Sequence, residues 1–146
     1  MSVSLLDVNV LIALAWPSHL HHREAHTWFS KNAVHGWVTC PLTQCAFVRI
    51  SSNPKIIAEA VTPREALALL DRIVAQKHHV FWADDIAVHD KYVPDTFLVG
   101  HRQVTDAYLL GLALQHGGQL VTLDKGVLSL TSAGSSQRSA VVVVAT

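Results

Sequence analysis

The chain has 146 residues, 50% of them hydrophobic and only 15% charged, with a formal net charge of +0 and ten histidines besides. That apolar content excludes a disordered chain, and the length suits one domain, expected over residues 1–146, with a sizeable core. Neutrality excludes global attraction to nucleic acid, so any such binding must rest on a local basic patch, and it also suits a protein that lives in a complex.

No apolar run approaches membrane-spanning length, and the N-terminus lacks a charged n-region and a cleavage site, so no membrane partner is expected. Cys40 and Cys45 are five apart, neither a CxxC pair nor a disulfide framework. Both thiols are expected reduced and packed, and the expected compartment is cytoplasmic.

Val3–Leu6 reads as a short buried strand and Val10–Ala15 as the start of a helix, with Asp7 and Asn9 in the turn between. In an open parallel α/β sheet, ligands bind outside the carboxyl ends of the strands, which would put Asp7 at the site. Asp7 could equally serve as a cap for the helix behind it. Trp16-Pro17-Ser18 breaks that helix. His19 to Asn32 reads as a second helix, with His19, His21, His22 and His26. His22 and His26 lie one turn apart, but Glu24 points away from their face, so a His-rich surface helix is favoured over a metal site.

Gly36–Thr39 reads as the second strand, and Pro41 heads a helix from Leu42 to Ser51 that turns Phe47 and Ile50 inward. Thr62, Pro63 and Glu65 spell a helix start with a capping box, and Ala66, Leu67, Leu70 and Ile73 follow at helical spacing to about Gln76. His79–Ala83 reads as the third strand, and Asp84-Asp85 as the opening of a short helix. Lys91 to Val104 lacks periodicity and reads as loop and short turns. Thr105 to His116 is the clearest helix, with Ala107, Leu110 and Leu114 on an apolar face and Gly117-Gly118 stopping it. Gln119–Leu123 is the fourth strand, ending on Asp124. Lys125 to Leu130 turns away, Ser132–Ser139 reads as a polar loop, and Ala140–Val144 as a final buried strand. Strands alternate with helices throughout, which predicts a three-layer α/β/α sandwich.

Three carboxylates occupy similar places: Asp7 ends strand one, Asp124 ends strand four, and Asp106 lies in the first turn of the clear helix. Each alone reads as a cap or a strand end. If the first and fourth strands are neighbours, all three converge at one edge of the sheet. Anions so close repel unless cations neutralise them, and clustered carboxylate oxygens favour Mg²⁺ or Mn²⁺. Such ions lower a bound water's pKa and stabilise charge in phosphoryl transfer.

Leu5-Leu6-Asp7-Val8-Asn9-Val10-Leu11, Cys40-Pro41-Leu42-Thr43-Gln44 with Phe47-Val48-Arg49, Thr105-Asp106-Ala107-Tyr108-Leu109 and Val121-Thr122-Leu123-Asp124 run in order along nearly the whole chain. Together they resemble the PIN-domain ribonucleases and, more narrowly, the VapC-type toxins of bacterial toxin–antitoxin pairs. The resemblance implies a five-stranded parallel sheet and Mg²⁺- or Mn²⁺-dependent cleavage of RNA, leaving a 5′-phosphate. It implies a homodimer and inhibition by a cognate antitoxin whose C-terminal segment covers the site. By position, Asp7, Asp106 and Asp124 would be catalytic metal ligands, and Asn9 and Thr105 would support them or touch substrate.

The family's second acidic residue is usually a Glu in the helix after strand two, and this chain places Gln44 there; Glu59 is a remote substitute. Arg49, Lys125 and Arg102 could hold phosphate, and Trp16, Tyr92 and Tyr108 could stack on bases, with core packing favoured for Tyr108. Two other readings are a PIN module that binds RNA or a partner without cutting, supported by Gln44, and a haloacid-dehalogenase-type phosphatase. The phosphatase chemistry needs Asp rather than Asn9 as its general acid.

Overall fold

Leu5 and Leu6 are both fully buried, yet they belong to different cores on opposite faces of one sheet. The computed structural model describes residues 2–144, and its sheet has five parallel strands in the order β3-β2-β1-β4-β5. These are β1 Ser4–Leu6, β2 Trp37–Thr39, β3 His79–Phe81, β4 Gln119–Thr122 and β5 Val141–Val143. The alternation seen in β1 recurs at Trp37 and Val38 in β2 and at Leu120 and Val121 in β4. Strands covered on both faces have no polar side, which is why these three read as apolar runs.

Four helices, α1 Val8–Ala15, α2 His22–Asn32, α3 Pro41–Ser51 and α4 Pro63–Val74, supply the core that holds Leu6, Leu11, Phe47 and Leu70. On the other face α5 Val104–Gln115 packs over Leu5, Val38 and Leu120. The result is the three-layer α/β/α sandwich that the alternation of elements predicts, with the five-stranded parallel sheet that the resemblance implies. The capping box forms as read: the Glu65 N–H donates to Thr62 Oγ1 and the Thr62 N–H to Glu65 Oε1. Among the described residues, no helix is long and apolar enough to cross a membrane.

Several expectations are corrected. Helix α1 begins at Val8 rather than Val10, so Asn9 lies in its first turn, and α2 begins at His22 rather than His19. Strand β5 is half-buried, not buried, because it is an outer strand with β4 as its one neighbour. The polar loop after Thr131 contains a short helix, α6 Ser136–Ser139, capped by the Ser135 hydroxyl. Cys40 is buried, with its thiol pushed up to about 11 chiefly by burial, whereas Cys45 is exposed.

Asp84-Asp85 opens no helix, because both carboxylates act at a distance. Asp84 accepts from the Leu42 N–H at the head of α3 (3.1 Å), and Asp85 pairs with His116 at the end of α5 (3.2 Å). Beside them the Tyr108 hydroxyl donates to the Ile86 carbonyl, and the His116 ring stacks on Trp82 with centroids 4.1 Å apart. The segment after β3 is therefore irregular but tied down at four points.

Helix α5 is buried over Ala107–Ala113 without a break, so it has no polar face in its middle. Gly111 makes this burial feasible: a Cβ there would lie 2.8 Å from the Val93 Cα and 2.7 Å from its Cγ2. We expect Gly111→Ala to cost about 1–3 kcal/mol through overpacking, despite the better helix propensity of Ala. A lowered urea midpoint with unchanged slope is the measurement; an unshifted midpoint would show that the Val93 segment yields freely.

Candidate active site

The strand order reverses direction at β1, which has β2 on one side and β4 on the other, and this switch point opens a crevice at the carboxyl ends of the strands. Leu6 pairs with Val121 in register, and the Asp7 N–H donates to the Val121 carbonyl at 2.9 Å. Asp7 thus leaves β1 already fixed to β4. Its side chain then does both things the sequence left open. Oδ1 accepts from the Val8 N–H (2.7 Å) as the cap of α1, and Oδ2 accepts from the Thr122 hydroxyl (2.8 Å).

Thr122, which the sequence reading took as an ordinary strand residue, joins the rest of the site. Its oxygen accepts from Asn9 Nδ2 (3.2 Å) and from the Asp124 N–H (3.1 Å). Asn9 Oδ1 in turn accepts from the Leu123 N–H (3.1 Å). Asp124 lies two residues beyond the end of β4, not at its last position, and its Oδ1 accepts from the Gly126 N–H (2.8 Å). No local signal marked it, because its burial and its partners appear only in the folded chain.

The third carboxylate, Asp106, sits in the first turn of α5. Burial, and then the charges of Asp7 and Asp124, push its carboxyl from an ordinary 3.8 up to about 7, and no hydrogen bond offsets that cost. Asp7 is also raised, by burial first and Asp124 last, against the hydrogen bonds from Thr122 and Val8. Asp106 is therefore within electrostatic reach of Asp7 and Asp124, and their repulsion adds to the larger effect of its burial.

A cleft of about 200 Å³ opens beside Asp7, lined by residues that include Thr105 and Leu109 from α5 and Ala46 and Arg49 from α3. Leu42, Thr43, Ala46 and Arg49 are spaced to share one face of α3. Gln44 is off that face: its Nε2 donates to Thr39 Oγ1 (3.0 Å), and it lines a separate apolar groove of about 500 Å³ between α3 and α4. Ala46 lines the cleft beside Asp7, and Gln44 does not. Glu59 is occupied elsewhere by the Ser18 hydroxyl at 2.7 Å.

Lys125, next to Asp124, is exposed, as is Arg102 in the 3₁₀ turn His101–Gln103 that precedes α5. The aromatic residues divide. Trp16 donates to Ser51 and Tyr108 is buried, so both serve packing, while Tyr92 is exposed beside Lys91. The histidines of α2 are likewise structural. A ring nitrogen of His22 donates to the Ala13 carbonyl (2.7 Å) and one of His26 to the Leu14 carbonyl (3.0 Å), satisfying the free end of α1.

Among the described residues, no three His, Cys, Asp or Glu side chains already stand close enough to enclose an ion. The donor chemistry nevertheless fits a hard divalent cation. Mg²⁺ keeps several waters and needs one or two direct carboxylates, and the donors here are all oxygen. The upward displacement of Asp106 marks an anionic site that a cation would relieve.

A PIN domain family profile matches residues 4–131. The chain is 50% identical over 128 residues to Ribonuclease VapC38 of Mycobacterium tuberculosis, covering 88% of this chain and 89% of that one. It is 44% identical to Ribonuclease VapC39 of the same species (90% and 95% covered) and 37% identical to Ribonuclease VapC44 (92% and 95%).

A carboxyl whose pKa is higher folded than unfolded binds more protons in the native state, so stability falls as pH rises between the two values. For Asp106 that window runs from about 4 to about 7. We expect the metal-free protein to lose thermal stability across it, and Asp106→Asn or added Mg²⁺ to flatten the slope. Melting curves at half-unit pH steps test this; equal slopes for wild type and Asp106→Asn would show that the carboxylates are not in conflict.

Proposed function

This chain belongs to the PIN-domain family, in its VapC-type ribonuclease branch, and from that premise we propose that it is a Mg²⁺- or Mn²⁺-dependent endoribonuclease acting as the toxin of a toxin–antitoxin pair. The observation that carries the reading is that burial, with the charges of neighbouring aspartates, raises the carboxyls of Asp7 and Asp106 at the switch point of the sheet. Of the three, Asp7 is buried, Asp106 half-buried and Asp124 exposed, and holding the first two charged without a cation is costly. A divalent cation bound there would supply positive charge to a phosphodiester and activate water for attack on it.

The chain's own residues have distinct parts in this proposal. Asp7, Asp106 and Asp124 offer oxygen ligands from three separate elements. Thr122 and Asn9 fix the orientation of Asp7 and the path of the backbone into Asp124, so they are positioning residues. Arg49 and Thr105, on the walls of the cleft, present a cation and a hydroxyl to the RNA backbone. Lys125 adds charge beside Asp124. Asn9 carries no acid function, since its amide is engaged at both ends, which argues against the phosphatase reading.

Within the same proposal a cognate antitoxin protein masks the cleft and the working form is a cytoplasmic homodimer. The dimer reading predicts twice the chain mass in light scattering at micromolar concentration, and a monomer across that range would refute it.

Asp7→Asn, Asp106→Asn and Asp124→Asn should each lower RNA cleavage by on the order of 100-fold or more and relieve growth arrest, with the fold retained. EDTA should abolish wild-type cleavage and Mg²⁺ or Mn²⁺ restore it. End-mapped total RNA reads both; variants that cut at the wild-type rate while still needing metal would sink the ligand assignment, and a metal-loaded wild type that leaves RNA intact would favour a non-cutting module. We further expect Ala46→Glu to tighten Mg²⁺ binding in calorimetry and Gln44→Glu to leave it unchanged, because Ala46 lines the cleft beside Asp7 and Gln44 does not. The reverse pattern would mean that α3 is rotated in the metal-loaded protein.

A further inference from the structure

The segment after β3 walls a second hollow. Asp84, Ile86 and Val88 line a cavity of about 390 Å³ with Leu42, Val104 and Tyr108 opposite. It adjoins the Asp7 cleft, because Leu42 and Thr105 line both. Leu42, Val88 and Val104 are 36%, 59% and 43% exposed, an apolar surface gathered in one concave place. Asp84 supplies the only carboxylate among the lining residues. An anion there repels phosphate, so this hollow is not suited to the RNA backbone. It suits a flat apolar ligand that carries N–H donors on its edge.

The walls are also fixed in advance. Asp84 Oδ2 holds the Leu42 N–H, Asp85 holds His116, and the Ile86 carbonyl is held by Tyr108. The Cys40 thiol is also hydrogen-bonded to Asp84, and the remaining lone pairs of the two carboxylate oxygens are left for a ligand.

We propose that this cavity binds an unpaired guanine base of the RNA, adjacent to the phosphodiester held in the Asp7 cleft. The proposal rests on the ribonuclease reading above. Single-stranded RNA is recognised by splaying a base from the strand and reading its Watson–Crick edge, and apolar side chains cover its faces. Among the four bases guanine alone presents two adjacent N–H groups there, N1–H and N2–H, which a carboxylate accepts. Uracil flanks its N3–H with two carbonyls that a carboxylate repels. Adenine and cytosine each set one amino group beside an acceptor nitrogen.

The test uses the full chain in Mg²⁺ buffer, with the 5′-monophosphates of guanosine, adenosine, cytidine and uridine as probes and the methyl resonances of Val88 and Val104 as readout. GMP should bind on the order of tenfold tighter than the other three. Asp84→Asn keeps an acceptor for the Leu42 N–H but should erase that preference, and Val104→Trp, which fills the cavity, should erase the shifts of the remaining Val88 methyls. Circular dichroism of both variants confirms that they fold. GMP binding without preference, or a preference that survives Asp84→Asn, overturns the proposal. Cleavage products supply the second arm. Cuts beside G in the wild type that scatter in Asp84→Asn support it, whereas cuts without base preference overturn it and leave the nuclease reading standing. Selective GMP binding with no cleavage of any RNA supports the base site and overturns the nuclease reading instead.

Discussion

A single hydroxyl sets the geometry of the site. Thr122 has one proton and two lone pairs, and both the Asn9 amide nitrogen and the Asp124 backbone nitrogen can only donate to it. Its proton must therefore go to Asp7. That one assignment ties the end of β1, the first turn of α1, the end of β4 and the entry to the turn that follows. It also explains how a carboxylate 5% exposed is tolerated as an acceptor at the edge of two apolar strands.

The hydroxyl does nothing for Asp106, and the asymmetry is informative. Asp7 has two hydrogen bonds that favour its charged form, whereas Asp106 has only repulsion and partial burial. A fold selected for stability alone would replace Asp106 by an apolar or neutral residue. Retaining it places the least comfortable group on a different element from the other two, at the head of α5, so the fold holds the conflict open rather than relaxing it. Sites that need charge arranged in advance are built at the expense of stability in this way.

Much of this was legible in the sequence. The unbroken apolar runs at Leu5-Leu6 and Leu120-Val121 announce strands covered on both faces, and the capping pair Thr62 and Glu65 announces a helix; both depend only on local pattern. The three aspartates were legible because each terminates such a run or opens such a helix. Gln44 and Ala46 differ in phase: two residues on a helix are separated by about 200°, so a step of two positions turns a wall of the cleft into a residue of the neighbouring groove. Thr122 and the Asp84-Asp85 pair were missed because their partners lie 115, 42 and 31 residues away, beyond any local signal.

The pairing of β1 with β4 also dictates when, in the life of the chain, a site can exist. Asp7 is among the first residues made, and its partner Thr122 emerges 115 residues later. Closing so long a loop is entropically slow, and the contacts that reward it are available only once β4 is present. On the ribosome, the N-terminal helices can collapse around Leu6 and Phe47 while Asp7 still lacks its hydroxyl donor. An interrupted or proteolysed product that stops short of β4 keeps the first carboxylate but has neither the hub nor the last one. Only a chain made at least through Asp124 brings all three carboxylates together.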